Sequence, residues 1–178
     1  MDTQTVIITR RSVRAWTDQI IPEDLLQTIL EAGRHSPSPL NSQAWKFTII
    51  RKKDTLQKLM PTAQHASFVT MANVLIVVTV DKAAKVDEWL SEHKQHIYSG
   101  VCALQNMWLA AWNIGIGGCW VTVDEKTTRQ LLSIPSDHEL IGSLALGYAK
   151  TPPTPHKEDD RKPLSEMVFY ETFGNTTK

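Results

Sequence analysis

The run Val74–Val80, VLIVVTV, constrains the architecture of this chain more than any other stretch. It is continuous, largely β-branched and lacks polar alternation, the pattern of a central strand covered on both faces. Such a strand demands an apolar layer above it and another below. The segment from Asp87 to Ile114 supplies a helical pattern, and its second half is apolar nearly all round: Val101, Cys102, Leu104, Met107, Trp108, Leu109, Ala111 and Trp112. A helix of that kind is buried in a core or an interface. In a chain of 178 residues, the expected partner surface is a second copy of itself.

The remaining elements follow from local chemistry. Pro22, Glu23 and Asp24 suit a helix start. Leu25, Leu26, Ile29 and Leu30 fall on one helical face, with Gly33 as the expected stop. RHSPSPLNSQ (34–43) is a loop, Trp45–Ile50 a strand and Asp54–Met60 a short helix. GIGGCWVTV (115–123) passes from a glycine break into a strand. Asp124 can cap a helix over Glu125–Leu132, and Leu140–Tyr148 is a further strand. TPPTPHKEDDRKP (151–163) reads as a proline-rich linker, but the LSEMVFYETF that follows is too apolar for a free tail. Strands and helices alternate without regular βαβ units, so the expected class is an α+β sandwich with a mixed central β-sheet flanked by helices.

Composition narrows the partners. Nineteen basic residues balance nineteen acidic ones, which argues against nucleic acid, whose binders carry a net basic domain. No apolar run approaches the roughly 20 residues of a membrane span, and the first residues, MDTQTVIITRR, show no secretory signal. Cys102 and Cys119 read as buried thiols of a reducing compartment, so a cytoplasmic location is expected. His93 and His96 lie three apart on the expected helix without a third ligand, so no metal site is expected. Ser36, Ser38 and Ser42 lie outside any GxSxG elbow.

Within this neutral chain, Thr9–Trp16 reads TRRSVRAW. Strand-like alternation places Arg10, Ser12 and Arg14 on one side, with Arg11 and Val13 opposite. Guanidinium forks and a hydroxyl in a row suit an elongated phosphorylated ligand; the competing reading is a solvated basic surface. The 34–43 loop could present donors rigidly, or simply connect a helix to a strand. The glycines of GIGG permit a planar ligand to approach the backbone, or a tight turn after a buried helix. Arg161 could return to the same anion, or pair with Asp159 or Asp160.

In this order, RRSVRAW, EAGRHSPSPLNSQAWKF, GIGGCW, LALGY and RKPLSE resemble the FMN-dependent nitroreductase family over about residues 6 to 170. The resemblance implies a three-layer sandwich forming an intertwined homodimer, with residues 1–178 as one FMN-binding domain and 151–178 as an extended segment packing on the partner. It implies that Arg10 and Ser12 hold the FMN phosphate and ribityl end, that Arg11 assists, and that Arg161 returns to the phosphate. Arg14 matches the residue that reaches the pyrimidine edge of the flavin and tunes it. Pro37, Ser38 and Asn41, with Gln43 close behind, match a loop covering the flavin of the other subunit. The backbone near Val121 and Thr122 matches the region approaching flavin N5. Three departures stand out. Ala44 replaces the proline of NSQPW, an expected loosening of that turn. Val121-Thr122-Val123 replaces a glycine pair, and Asp159 stands where some relatives carry a lysine.

The implied chemistry belongs to the cofactor, with the protein supplying orientation and electrostatics. NAD(P)H and then a nitroaromatic, quinone or other electron-poor acceptor would use one pocket in turn, by ping-pong hydride transfer. Two alternatives remain: a flavoenzyme of this fold with another reaction, such as a dehydrogenase or dehalogenase, and a non-catalytic flavin-binding sensor.

Overall fold

The computed structural model of the protein describes residues 1–60, 66–82, 88–157 and 161–177. Four strands form its sheet: β1 (Trp45–Ile50), β2 (Val74–Asp81), β3 (Gly117–Val121) and β4 (His138–Gly147). Their spatial order is β1-β2-β4-β3, and each neighbouring pair runs antiparallel. The parallel component of the sheet is an isolated bridge between Ser12 and Gly118. Among the described residues, six α-helices surround it: α1 (Thr3–Thr9), α2 (Glu23–Arg34), α3 (Lys53–Leu59), α4 (Glu88–Glu92), α5 (Gln95–Asn113) and α6 (Glu125–Leu132).

The VLIVVTV run occupies the interior position its composition demands. Val74, Ile76 and Val78 pack with Leu26 and Ile29 of α2 and with Leu104, Met107 and Trp108 of α5. Leu75 and Val77 point the other way, into a second cluster with Leu56 and Leu59 of α3, Val69 and the partly buried Leu131 and Leu132 of α6. The period-two side-chain alternation of one strand therefore builds both halves of the core. Burial of each such aliphatic side chain contributes about 1.5–3 kcal/mol. The result is an α+β sandwich of three layers.

Besides shifts of one or two residues at the ends of α3 and β4, two helix boundaries differ from the sequence reading. The helix expected over Asp87–Ile114 is broken: Lys94 adopts φ 56° between α4 and α5, and Asp87 lies outside the described residues. The break separates His93, whose ring stacks on Trp89 at 4.0 Å, from His96, buried beside Glu139. Gly33 is not a helix stop but a buried residue inside α2, which ends at Arg34. A Cβ there would stand 2.8 Å from Met107 Cγ, so the residue is small because α2 and α5 pack against each other at that point. Asp124 caps α6 as expected, accepting a hydrogen bond from Thr127 N at 2.9 Å. No helix among the described residues is long and apolar enough to cross a membrane.

Gly117 carries a similar constraint at the sheet edge, where a Cβ would lie 2.7 Å from Val13 Cγ2. Gly117→Ala is therefore expected to destabilise the fold by about 1–3 kcal/mol through overpacking. Urea unfolding of the double variant with Val13→Ala should show less than the sum of the single losses; strict additivity would remove the steric account.

Candidate functional site

The N-terminal segment reaches the sheet through a sharp change of direction. Asp2 opens α1 by accepting from Thr5 N at 3.0 Å, and Arg10 closes it in a non-helical conformation. The chain then runs extended along the edge of β3. Val13 N donates to Gly118 O at 2.9 Å, and Trp16 Nε1 donates to Gly117 O at 3.0 Å. Thr17 N donates to Tyr148 O at 2.8 Å, beyond the end of β4. Val13 and Trp16 turn inward and are buried, which leaves Ser12 and Arg14 facing out. Alternation thus holds over Ser12, Val13 and Arg14 and breaks at Ala15, which is exposed while Trp16 is buried. It also fails for Arg11, because the chain is still leaving α1 there.

Arg10, Arg11, Ser12, Arg14, His156 and Arg161 line one cleft of about 310 Å³. Residues separated by some 150 positions in the chain are brought together there, because the segment after β4 folds back over the N-terminal one. Arg11 Nη2 donates to Pro155 O at 3.3 Å, and Arg161 Nη2 lies 3.0 Å from His156 Nε2. Arg10 spreads its guanidinium over the Trp108 ring, 4.0 Å from the centroid, a cation–π contact. Burial, with Arg161 and Arg11 nearby, pushes the Arg10 pKa below its ordinary value.

The Nη1 atom of Arg10 is buried and has no hydrogen-bond partner among the described residues. An unsatisfied charged donor among like charges is costly. A dianion in the cleft would supply both the missing acceptor and the missing charge, so this donor set fits a phosphate monoester. Behind it lies the Cys119 thiol, whose pKa is pushed up by burial and drawn back by Arg14, Ser12 and Arg10. Arg14 stands 6.0 Å over the ring of Phe68.

Other predicted site residues lie elsewhere in this chain. Pro37, Ser38, Asn41 and Gln43 do not line the cleft. Their loop is nonetheless tightly built. Leu40, Asn41 and Gln43 have φ values of 49°, 52° and 47°, unusual for residues with a Cβ. Gln43 N donates to Ser38 Oγ at 3.1 Å, and Asn106 Nδ2 on α5 donates to Ser36 Oγ at 2.8 Å. Ala44, at the end of this turn, is buried, and its carbonyl accepts from Asp81 N at 2.9 Å. Val121 is buried with its carbonyl accepting from Ser143 Oγ at 2.9 Å, Thr122 is exposed, and neither lines the cleft. Asp159 and Asp160 fall outside the described residues.

Sequence reasoning missed α1, Trp108 as the support of Arg10, and His156 as a wall of the cleft. Trp108 reads only as core because its helix is apolar on most sides. His156 stands in a proline-rich run that carries no periodic signal. Of the glycines in GIGG, Gly117 makes room for Val13 and Gly118 for Trp108 and Leu146, while Gly115, at φ 81°, forms the turn after α5.

The fold and the cleft together define an α+β sandwich carrying an arginine-lined cleft at one sheet edge. The sequence model of the family described as "Nitroreductase family" matches residues 7–67 and 62–148. A protein of Archaeoglobus fulgidus, provisionally named NADH dehydrogenase/NAD(P)H nitroreductase, is 32% identical over 163 residues, covering 88% of this chain and 90% of that one. A solved nitroreductase family protein from Clostridium difficile is 26% identical, with a TM-score of 0.85 over 97% of this chain and all (100%) of that one. A provisionally named nitroreductase of Desulfovibrio desulfuricans, solved in complex with FMN, is 27% identical, with a TM-score of 0.81 over 97% of this chain and 99% of that one. The chain belongs to the nitroreductase family.

Proposed function

We propose that this protein is an FMN-dependent oxidoreductase that uses NAD(P)H to reduce nitroaromatic, quinone or similar electron-poor acceptors. The observation that carries the reading is the arginine cleft with its unpartnered, buried Arg10 donor, in a chain of this family. The FMN complex of the Desulfovibrio relative supports the choice of ligand. Other relatives are named FMN reductase, which supports the choice of reductant.

In this reading Arg10, Arg11 and Arg161 hold the phosphate, with Ser12 at the ribityl end. FMN, when bound, supplies the hydride-accepting and hydride-donating chemistry. Arg14 lies farther along the extended segment and presents its guanidinium to the pyrimidine edge. A cation there favours the negative charge that the cofactor gains on reduction, by roughly 1.5–3 kcal/mol for a charge-assisted hydrogen bond. Pro37, Ser38, Asn41 and Gln43 act on the flavin of the partner subunit, which accounts for a loop rigidly built yet remote from its own cleft. The backbone at Val121 and Thr122 borders the reacting face. NAD(P)H and the acceptor occupy one pocket in succession, which gives ping-pong kinetics.

The apolar tail supports a homodimer. In the single chain, Leu164 is 76% and Phe173 94% exposed, and Tyr98 and Val101 of α5 stand exposed as well. Large apolar side chains left bare in the single chain are the kind that an interface covers. Residues 1–178 then act as one FMN-binding unit, with 151–178 packed on the partner.

Purified protein is expected to show a flavin spectrum that bleaches on anaerobic addition of NADPH or NADH and recovers with a quinone or nitroaromatic. A bound flavin that stays oxidised would favour a sensor instead. Arg14→Ala should retain FMN through the remaining arginines yet lower its midpoint potential by on the order of 30 mV; an unchanged potential removes Arg14 from this role. Analytical ultracentrifugation should find the flavin-loaded species at twice the chain mass, and a flavin-loaded monomer would defeat the shared site.

A further inference from the structure

The guanidinium groups of the cleft are not all held in the same way. Arg11 Nη2 donates to the carbonyl of Pro155, and Arg161 Nη2 lies 3.0 Å from His156 Nε2. Arg10 instead lies over the Trp108 ring, 4.0 Å from its centroid, with the like charges of Arg161 and Arg11 nearby. Trp108 is buried on α5 in one of the hydrophobic clusters, at 7% exposure. A buried indole N–H ordinarily finds an acceptor. The Trp108 Nε1 atom has none among the described residues. Packing alone is therefore a poor reason for tryptophan here, since phenylalanine fills an apolar site without burying an orphaned donor. What indole offers beyond phenylalanine is the ring face that attracts a cation most strongly.

The place of the ring is tied to the place of the arginine. A Cβ on Gly118 would stand 2.9 Å from Trp108 Cδ1 and 3.0 Å from Trp108 Nε1, so the indole rests against bare backbone at that glycine. Gly118 O accepts from Val13 N at 2.9 Å, and Gly118 also forms the bridge with Ser12. One residue thus seats the ring and fixes the segment that carries the guanidinium. We infer that Trp108 is a positioning residue of the phosphate grip, its ring face holding the Arg10 guanidinium in the cleft before the ligand arrives, which rests on the flavin reading above. Without the ring, two like charges and the pull of hydration draw the side chain outward. The entropy of ordering it then falls on the binding step. The ring acts through Arg10 alone, so its effect follows the phosphate and not the isoalloxazine.

Apo-protein is titrated with FMN and, in parallel, with riboflavin, which lacks the phosphate. The variants are Trp108→Leu, Trp108→Phe, and each of these combined with Arg10→Ala. Trp108→Leu is expected to raise the FMN Kd roughly tenfold and the riboflavin Kd by less than about twofold. Trp108→Phe keeps a ring of weaker attraction for cations and should raise the FMN Kd roughly threefold, again sparing riboflavin. In the Arg10→Ala background either change should add less than about twofold, because the group that the ring holds is gone. Equal losses for FMN and riboflavin, or an undiminished FMN loss without Arg10, overturn the inference and leave Trp108 as core packing. An FMN Kd unchanged in every folded Trp108 variant overturns it as well. Should the leucine variant not fold, Trp108→Phe provides the same comparisons. Failure of the wild type to take up FMN overturns the flavin reading itself, a distinct result.

Discussion

Four guanidinium groups converge on one cleft in a chain whose net charge is zero, and what holds three of them there against their mutual repulsion is the pairing of the N-terminal segment with the edge of β3. Val13 bonds Gly118, Trp16 bonds Gly117, and both side chains sink into the core. The segment is therefore fixed by hydrogen bonds and apolar burial, neither of which depends on the arginines. Charge is positioned by forces of another kind, and the electrostatic cost of crowding is carried by the stability of the sheet. Pre-organised cations of this sort need no rearrangement when an anion arrives.

The same economy extends into the core. Trp108 closes the α5 side of the sandwich and also offers its ring face to Arg10. Cys119 packs in the opposite cluster while its thiol lies within reach of Ser12 and Arg14. The arginine cleft is thus an outer surface of the two hydrophobic clusters rather than an appendage. A change in packing at either residue would be felt in the charge geometry.

The loop before β1 stores conformational strain of the kind that persists only when surroundings enforce it. Three left-handed residues in succession or near succession, anchored by Ser36 to α5 and by Ala44 to β2, make a stiff projection. A stiff projection with nothing of its own to cover suits a surface offered to another subunit. That is the physical sense of the proposed shared site.

Much of the fold was legible in the sequence because it rests on short periodic signals. VLIVVTV announced a doubly covered strand, TRRSVRAW a charged segment, and Asp124 a helix cap. The failures came from contacts between distant residues and from local breaks that periodicity does not record. Gly33 and Gly117 are small because Met107 and Val13 press against them, and Lys94 breaks a helix that its neighbours in sequence would continue. Arg11 joins the cleft because the chain bends out of α1, and His156 joins it because the segment after β4 folds back. Periodicity records which face a residue takes on its own element. Which other element lies opposite that face is decided only when the whole chain packs, and the arginine cleft exists only at that level.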